Sequence, residues 1–157
     1  MKHLITGGVA ALAMSAFALS ASAETIILGA AVSQSGKYST NGQHTMNGYN
    51  MAVEMINAAG GVMIDGTAHM LEIKYYDDES TPARGAELAE RLISQDGVKF
   101  LLGPYSSGLT KAIAPVTEKH GVPMVEANGA SRSLFTNGYK YLFAVLSTSE
   151  QIGRAHV

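Results

Sequence analysis

Polar and small residues follow several of the predicted strands of this sequence, and their types suit the binding of a charged small molecule. The stretch 103–108 (GPYSSG) places two serine hydroxyls where a helix is predicted to begin. A helix start has unpaired N–H groups and a partial positive charge, so it can hold a carboxylate without a cation. Simple capping of the helix by Ser106 explains the same residues, and one serine can cap while its neighbour contacts a ligand.

Two other loops have the same character. The stretch 127–131 (ANGAS) has small side chains that let a ligand approach the backbone, and 33–42 (SQSGKYSTNG) is polar and contains glycine. Each loop alone is compatible with an ordinary turn. Only their convergence at one edge of a sheet predicts a binding site.

Other chemistry is poorly supported. The acidic run 77–79 (DDE) could serve acid–base or metal chemistry, but a solvated loop ahead of a helix is the preferred interpretation. His44, His69 and His120 lack the spacing of metal ligands and are expected to be scattered surface residues. The sequence has no GxSxG, GxGxxG or GxxxxGK[ST] motif, so we expect no catalysis, no metal and no cofactor.

The composition fits one globular domain. The chain has 157 residues, of which 46% are hydrophobic and 15% charged, and its net charge is −2. Lys and Arg are scattered, so nucleic acid is not an expected partner.

Residues 1–23 are predicted to be a cleaved signal peptide. Lys2 precedes an apolar stretch at 4–19, and 21–23 (ASA) is a small-x-small cleavage site before Glu24. The apolar stretch is shorter than the roughly 20 residues that cross a bilayer. The chain has no cysteine, so neither a disulfide nor a lipid anchor is expected, and the predicted location is the periplasm.

Apolar segments alternate with helical periodicity along the rest of the chain. This pattern predicts an α/β fold, a Rossmann-like parallel sheet with helices on both faces, whose ligands bind beyond the carboxyl ends of the strands. Strands are predicted at 25–32, 71–76, 98–102, 122–126 and 141–145, and helices at 41–59, 82–95 and from Ser106 or Ser107 to His120.

Some local details are also predicted. The first strand should be buried on both faces, and Gly60 and Gly61 should end the first helix. Thr81 should cap the second helix, and Pro115 should kink the third or, more readily, split it in two. Three methionines are expected to fill the core: Met46, Met51 and Met55.

The loops and their neighbours resemble the leucine/isoleucine/valine-binding family of periplasmic binding proteins. The similarity covers about 24–151 and rests on the order and spacing of several motifs. These are 29–36 (GAAVSQSG), 41–48 (NGQHTMNG), 56–57 (IN) with 60–62 (GGV), 76–78 (YDD), 102–104 (LGP) with 106–107 (SS), and 122–123 (VP) before the small-residue loop.

The resemblance implies a receptor that captures an amino acid between two lobes and delivers it to the membrane permease of an ABC transporter. It implies an N-terminal lobe at 24–142, the start of a crossover to a second lobe at 143–151, and a non-native tail at 152–157. Ser107 would bind the ligand carboxylate, the loop Asn128 to Ala130 would meet its charged groups, and Tyr38 and Asn41 would line the side-chain end. The full set of expected ligand contacts is Tyr38, Asn41, Tyr105, Ser106, Ser107, Asn128, Gly129 and Ala130.

Two departures leave the ligand open. Ala130 stands where the family often has threonine, and Asn41 stands where it often has an aromatic residue. A polar amino acid, an amide or urea is therefore an alternative to a branched-chain amino acid. A ligand-sensing domain of a receptor is the second functional alternative, and an enzyme on the same type of sheet is the third.

Overall fold

The computed structural model describes residues 24–154. The predicted signal peptide and the last residues of the predicted tail lie outside this range. The strands are β1 (Ile26–Val32), β2 (Val62–Ile64), β3 (Thr67–His69), β4 (Leu71–Asp77), β5 (Phe100–Leu102), β6 (Met124–Glu126) and β7 (Leu142–Ala144). The helices are α1 (Ser39–Ala58), α2 (Pro82–Ser94), α3 (Ser107–His120) and α4 (Ser149–Arg154), with a short 3₁₀ turn at Arg132–Leu134.

Five strands form one parallel sheet in the order β4-β1-β5-β6-β7. The chain leaves β1 toward β4 on one side and then crosses back to β5 on the other. The gap between the carboxyl ends of β1 and β5 is therefore the topological switch point, where ligands of open α/β sheets bind. The predicted fold class is confirmed.

Helices α2 and α3 close one face of the sheet, which we call the closed face. Alternate strand residues point to it, and Leu101 and Met124 are fully buried there with Leu92 and Ile113 from the two helices. Gly29 lets α2 and the segment after it approach β1, because a Cβ at this position would lie 3.3 Å from Leu92 of α2 and 2.9 Å from Val98. This face holds the hydrophobic core.

Helix α1 lies on the opposite face but reaches only part of it. Its Asn50 accepts a hydrogen bond from the Tyr75 hydroxyl (2.8 Å), and Asn57 bonds both backbone groups of Leu71, so α1 sits over β4 and β1. Three residues of β5 to β7 on this side remain exposed, and with one residue after β7 we call them the open face. They are Phe100, Val125 and Phe143, together with Val145 just after β7.

Two predictions about burial are wrong. Met51 and Met55 were expected in the core but are 60% and 65% exposed, because they lie on a side of α1 that no described element covers. The first strand was expected to be buried on both faces, yet only its second half is, and Ile27 is 41% exposed.

The structure corrects three local details. Helix α3 runs through Pro115 without being split, and the exposed position of this proline lets water reach the carbonyl group that it cannot pair. Thr81 makes no capping bond; its hydroxyl lies 3.3 Å from the Glu79 carbonyl instead. The antiparallel pair β2–β3 was not predicted.

No helix within residues 24–154 is both long and apolar enough to cross a bilayer.

Candidate functional site

The loop between β5 and α3 presents hydrogen-bond donors at the carboxyl edge of the sheet. Ser106 occupies the N-cap position of α3, but its side chain makes no capping bond, and the first turn contains no acidic residue. The N–H groups of this turn are therefore available to a ligand. The prediction that Ser106 only caps the helix is not supported, since its hydroxyl remains free of that role.

The loop after β6 lies against the start of α3. The Ser131 amide donates to the Ser107 hydroxyl oxygen at 3.1 Å. Because a serine hydroxyl has one proton and two acceptor positions, Ser107 keeps its proton for another partner. A ligand carboxylate at the helix start could accept that proton and the helix N–H groups together.

The resemblance implied that the loop from Asn128 to Ala130 contacts the charged groups of the ligand, but two of its backbone amides bind a protein carboxyl group instead. The N–H groups of Asn128 and Gly129 both donate to Glu126 Oε1 at 2.6 Å, so they point into the protein. The Ala130 carbonyl accepts from the Ser149 amide at 2.9 Å. On this side of the site, the half-buried Asn128 side chain, which also interacts with the Tyr49 hydroxyl, is a polar group that could reach a ligand.

The first predicted loop meets the β5–α3 loop through two aromatic rings. The centroids of Tyr38 and Tyr105 are 5.4 Å apart, and their planes are inclined by 74°. Hydrogen bonds with Lys37 and then Ser106 lower the pKa of Tyr38. Tyr38 and Tyr105 therefore form an aromatic wall beside the start of α3.

Hydrogen bonds from the loop after β4 fix the first loop. Asp77 Oδ1 accepts from the amides of Gln34 and Ser35, and the Ser80 hydroxyl oxygen accepts from the Tyr38 amide at 3.0 Å. The Ser80 hydroxyl itself donates to the Ser35 carbonyl at 2.7 Å. The polar residues after β4 thus position Tyr38.

Asp78 contradicts the prediction of a solvated acidic loop. Its side chain is fully buried, and Oδ1 accepts from the Ser33 hydroxyl (2.6 Å) and the Ser80 amide (2.8 Å), while Oδ2 has no partner. Burial raises the pKa of Asp78. This carboxyl group is structural, and no group of three or more potential metal ligands occurs within residues 24–154.

Asn41 is in the first turn of α1, three residues after Tyr38. It is exposed, and its carbonyl accepts from the Thr45 hydroxyl at 3.0 Å. Within the described part of the chain, no hydrogen bond joins its side chain to the two serine loops. The expectation that Asn41 contacts the ligand therefore stays a prediction.

Sequence comparison decides the family. Residues 25–157 match the family described as periplasmic binding protein. The chain belongs to the periplasmic binding protein family. The predicted resemblance is thereby confirmed.

Two relatives show the range of sequence similarity within this family. The leucine-, isoleucine-, valine-, threonine- and alanine-binding protein of Pseudomonas aeruginosa is 32% identical over 145 residues, covering 92% of this chain. The Leu/Ile/Val-binding protein of Escherichia coli is 29% identical over 141 residues and 90% of this chain. The chain spans 38% and 36% of the lengths of these two relatives.

Solved structures of periplasmic binding proteins share the fold. The branched-chain amino-acid transporter substrate-binding protein LivJ of Streptococcus pneumoniae, in complex with isoleucine, has a TM-score of 0.71 at 34% identity. A solute-binding protein of R. palustris in complex with 4-hydroxybenzoate has a TM-score of 0.64 at 31% identity. Both alignments cover 79% of this chain, and 34% and 32% of those structures.

Sequence reasoning missed three residues that shape the site in this family member. Glu126 was predicted only as the end of a strand, and Thr110 and Tyr49 were predicted only as parts of helices. The Tyr49 hydroxyl donates to the Gly103 carbonyl at 2.7 Å, and burial followed by the nearby Glu126 charge raises the pKa of Tyr49. Glu126 lies between Gly103 and Gly129 in three dimensions. The linear sequence does not show this proximity, so it gave no reason to select Glu126.

Proposed function

We propose that the chain forms one wall of the binding cleft of a periplasmic solute receptor, whose ligand is a small molecule with a carboxylate group. The single observation that supports this best is the start of α3, where uncapped N–H groups meet the Ser107 hydroxyl. A carboxylate placed there gains the partial positive charge of the helix and donors that need no reorganisation.

The ligand class follows from chemistry common to the relatives. Isoleucine and 4-hydroxybenzoate both carry a carboxylate and differ in the rest of the molecule. By analogy, Ser106 and Ser107 would hold the shared group, and Tyr38 with Tyr105 would contact the variable part. Asn128 would contact the ligand's polar substituent. We favour an amino acid of the branched-chain type, because both relatives described above are named for binding leucine, isoleucine and valine.

The whole protein would be a non-catalytic component of an ABC transporter. We propose that the signal peptide is removed on export, that a second lobe completes the cleft, and that the loaded receptor docks on a membrane permease. Lobe closure would exclude water and strengthen the hydrogen bonds to the ligand.

The direct test is isothermal titration of the exported, full-length protein. The ligands are isoleucine, leucine, valine, threonine, alanine, 4-hydroxybenzoate, acetamide and urea. We expect one of the carboxylates to bind with a Kd in the micromolar range or below, as a receptor of this type requires. Binding of acetamide or urea alone would move the protein to the alternative ligand class, and turnover of any solute would refute the proposal.

The matched variants are Ser107→Ala and Ser133→Ala. Ser107 is the first residue of α3, and its hydroxyl accepts a hydrogen bond from the Ser131 amide. Ser133 is exposed in the 3₁₀ turn, where its hydroxyl lies 2.9 Å from that of Ser131. We expect Ser107→Ala to weaken binding about 10-fold and Ser133→Ala to leave the Kd unchanged. Equal affinities for the two variants would remove Ser107 from the site.

A further inference from the structure

A buried carboxyl group lies directly behind the two serine-containing loops. Glu126 at the end of β6 is fully buried, and its two carboxylate oxygens contact the loop after β6 and the first turn of α3. Oε1 accepts from the Asn128 and Gly129 amides, and Oε2 lies 2.6 Å from the Thr110 hydroxyl in the first turn of α3. The group thus joins the β6 loop to the α3 start through one side chain.

We propose that Glu126, acting through Thr110, is a positioning residue that fixes the distance between the two ligand-binding loops. This inference rests on the proposed function, because it concerns the geometry of the same site. Glu126 does not touch the ligand; it determines where the Ser107 hydroxyl and the Asn128 side chain stand relative to each other.

The surroundings of Glu126 are shaped to hold a carboxyl group. A side chain on Gly103 would overlap Glu126 Oε2, and a Cβ on Gly129 would lie 2.7 Å from the Thr110 hydroxyl oxygen and 3.1 Å from Glu126 Cδ. Two neighbouring loops therefore have glycine where only a hydrogen atom fits. The end of a strand would not by itself require glycine at these two positions.

Thr110 transmits the position of Glu126 to the α3 start. Its hydroxyl lies 2.9 Å from the Ser106 carbonyl as well as 2.6 Å from Glu126 Oε2. A threonine hydroxyl has one proton, so it can donate to only one of these groups at a time. A protonated Glu126 could donate to Thr110 and leave the Thr110 proton for Ser106. Burial, the largest influence, raises the pKa of Glu126 and favours this protonated form.

The first test compares two buried hydroxyls of the same helix in the exported, full-length protein. Thr110→Val removes the link to Glu126. Thr117→Val removes a hydroxyl that lies two turns further along α3 and bonds only to the Ala114 carbonyl at 3.0 Å. Thr110→Val should lower the melting temperature more than Thr117→Val, because it also leaves Glu126 Oε2 without a hydrogen-bond partner. Only Thr110→Val should weaken the titrated Kd for the solute that wild type binds, by about 5- to 20-fold.

The second test uses two substitutions of Glu126. A glutamine can accept the two loop amides through Oε1 and donate to Thr110 through Nε2, so Glu126→Gln should keep the Kd within about 3-fold of wild type. Glu126→Ala leaves both loop amides unpaired and should weaken binding by at least about 30-fold. If Glu126→Ala does not fold, the Thr110 and Thr117 pair decides alone.

The outcomes separate this inference from the proposed function. A wild type that binds none of the tested solutes refutes the function itself. A wild type that binds, with Thr110→Val and Thr117→Val showing the same Kd, overturns the positioning role and leaves the function standing. A folded Glu126→Ala variant with wild-type affinity would also overturn the positioning role and leave the proposed function standing.

Discussion

The two faces of the sheet differ sharply although the same strands form both. On the closed face Leu101 and Met124 are 1% and 0% exposed, whereas their chain neighbours Phe100 and Val125 on the open face are 46% and 37% exposed. Helices α2 and α3 cover the first face, and α1 leaves half of the second uncovered. Since apolar burial is the main source of stability, most of the folding free energy of this chain resides on the closed face.

The largest test of this difference replaces one residue from each face. Leu101→Ala should lower the free energy of unfolding of the chain by about 3 kcal/mol, because it leaves a cavity in a packed core. Phe100→Ala should cost about 1 kcal/mol or less, since nearly half of its side chain already contacts water. Urea denaturation followed by circular dichroism measures both values, and equal losses would mean that the open face is covered in solution.

Two adjacent aspartates at the end of β4 give the next test. Asp78 packs toward α2 on the closed face, and burial raises its pKa. Burial alone would also raise the pKa of Asp77, but hydrogen bonds from Ser35 and the amides of Glu79 and Gln34 outweigh it and lower that pKa. The two carboxyl groups should therefore respond to pH in opposite directions.

The signs follow from proton linkage. Because the folded pKa of Asp78 is raised, the contribution of Asp78 to stability is fully present below its unfolded pKa of about 4. This contribution is lost as pH rises through the folded pKa. Asp78→Asn should thus gain stability relative to wild type as pH rises from 4 toward 7. Asp77→Asn should lose stability at pH 7, and that loss should shrink as pH falls through the lowered folded pKa. Chemical denaturation at several pH values measures both; parallel curves for the two variants would contradict the assignment.

The last stability prediction concerns the open face alone. The double variant Phe100→Ser and Phe143→Ser should lower the free energy of unfolding by about 2 kcal/mol or less, which is still less than the loss for Leu101→Ala, because both side chains are about half exposed. It should nevertheless reduce the fluorescence of the apolar dye ANS, which binds exposed hydrophobic patches. Unchanged fluorescence would show that the patch is not accessible.

Much of the fold could be predicted from local patterns. A continuous apolar run located β1, and a stretch rich in strand-forming residues located β4. Gly121 ended α3 in the left-handed conformation (φ 64°) that favours glycine. The hairpin β2–β3 was missed because its strands have only three residues, too few to show an alternating pattern.

Burial could not be predicted in the same way. Periodicity places Met51 and Met55 on one side of α1, but whether another element covers that side depends on tertiary packing. Asp78 was predicted in a solvated loop and Glu126 at the end of a strand, yet hydrogen-bond donors from distant segments contact both carboxyl groups. The candidate site was predicted in its serine loops, and the buried groups that hold those loops became visible only in three dimensions.

A carboxylate bound at the start of α3 is the central feature of the proposed site. The most direct measurement is titration of the exported, full-length protein with isoleucine and with isoleucinamide, which differ only at that group. The amide should bind at least about 100-fold more weakly, because it brings no negative charge to the helix N–H groups and the Ser107 hydroxyl. Equal affinity for the acid and the amide would contradict the account.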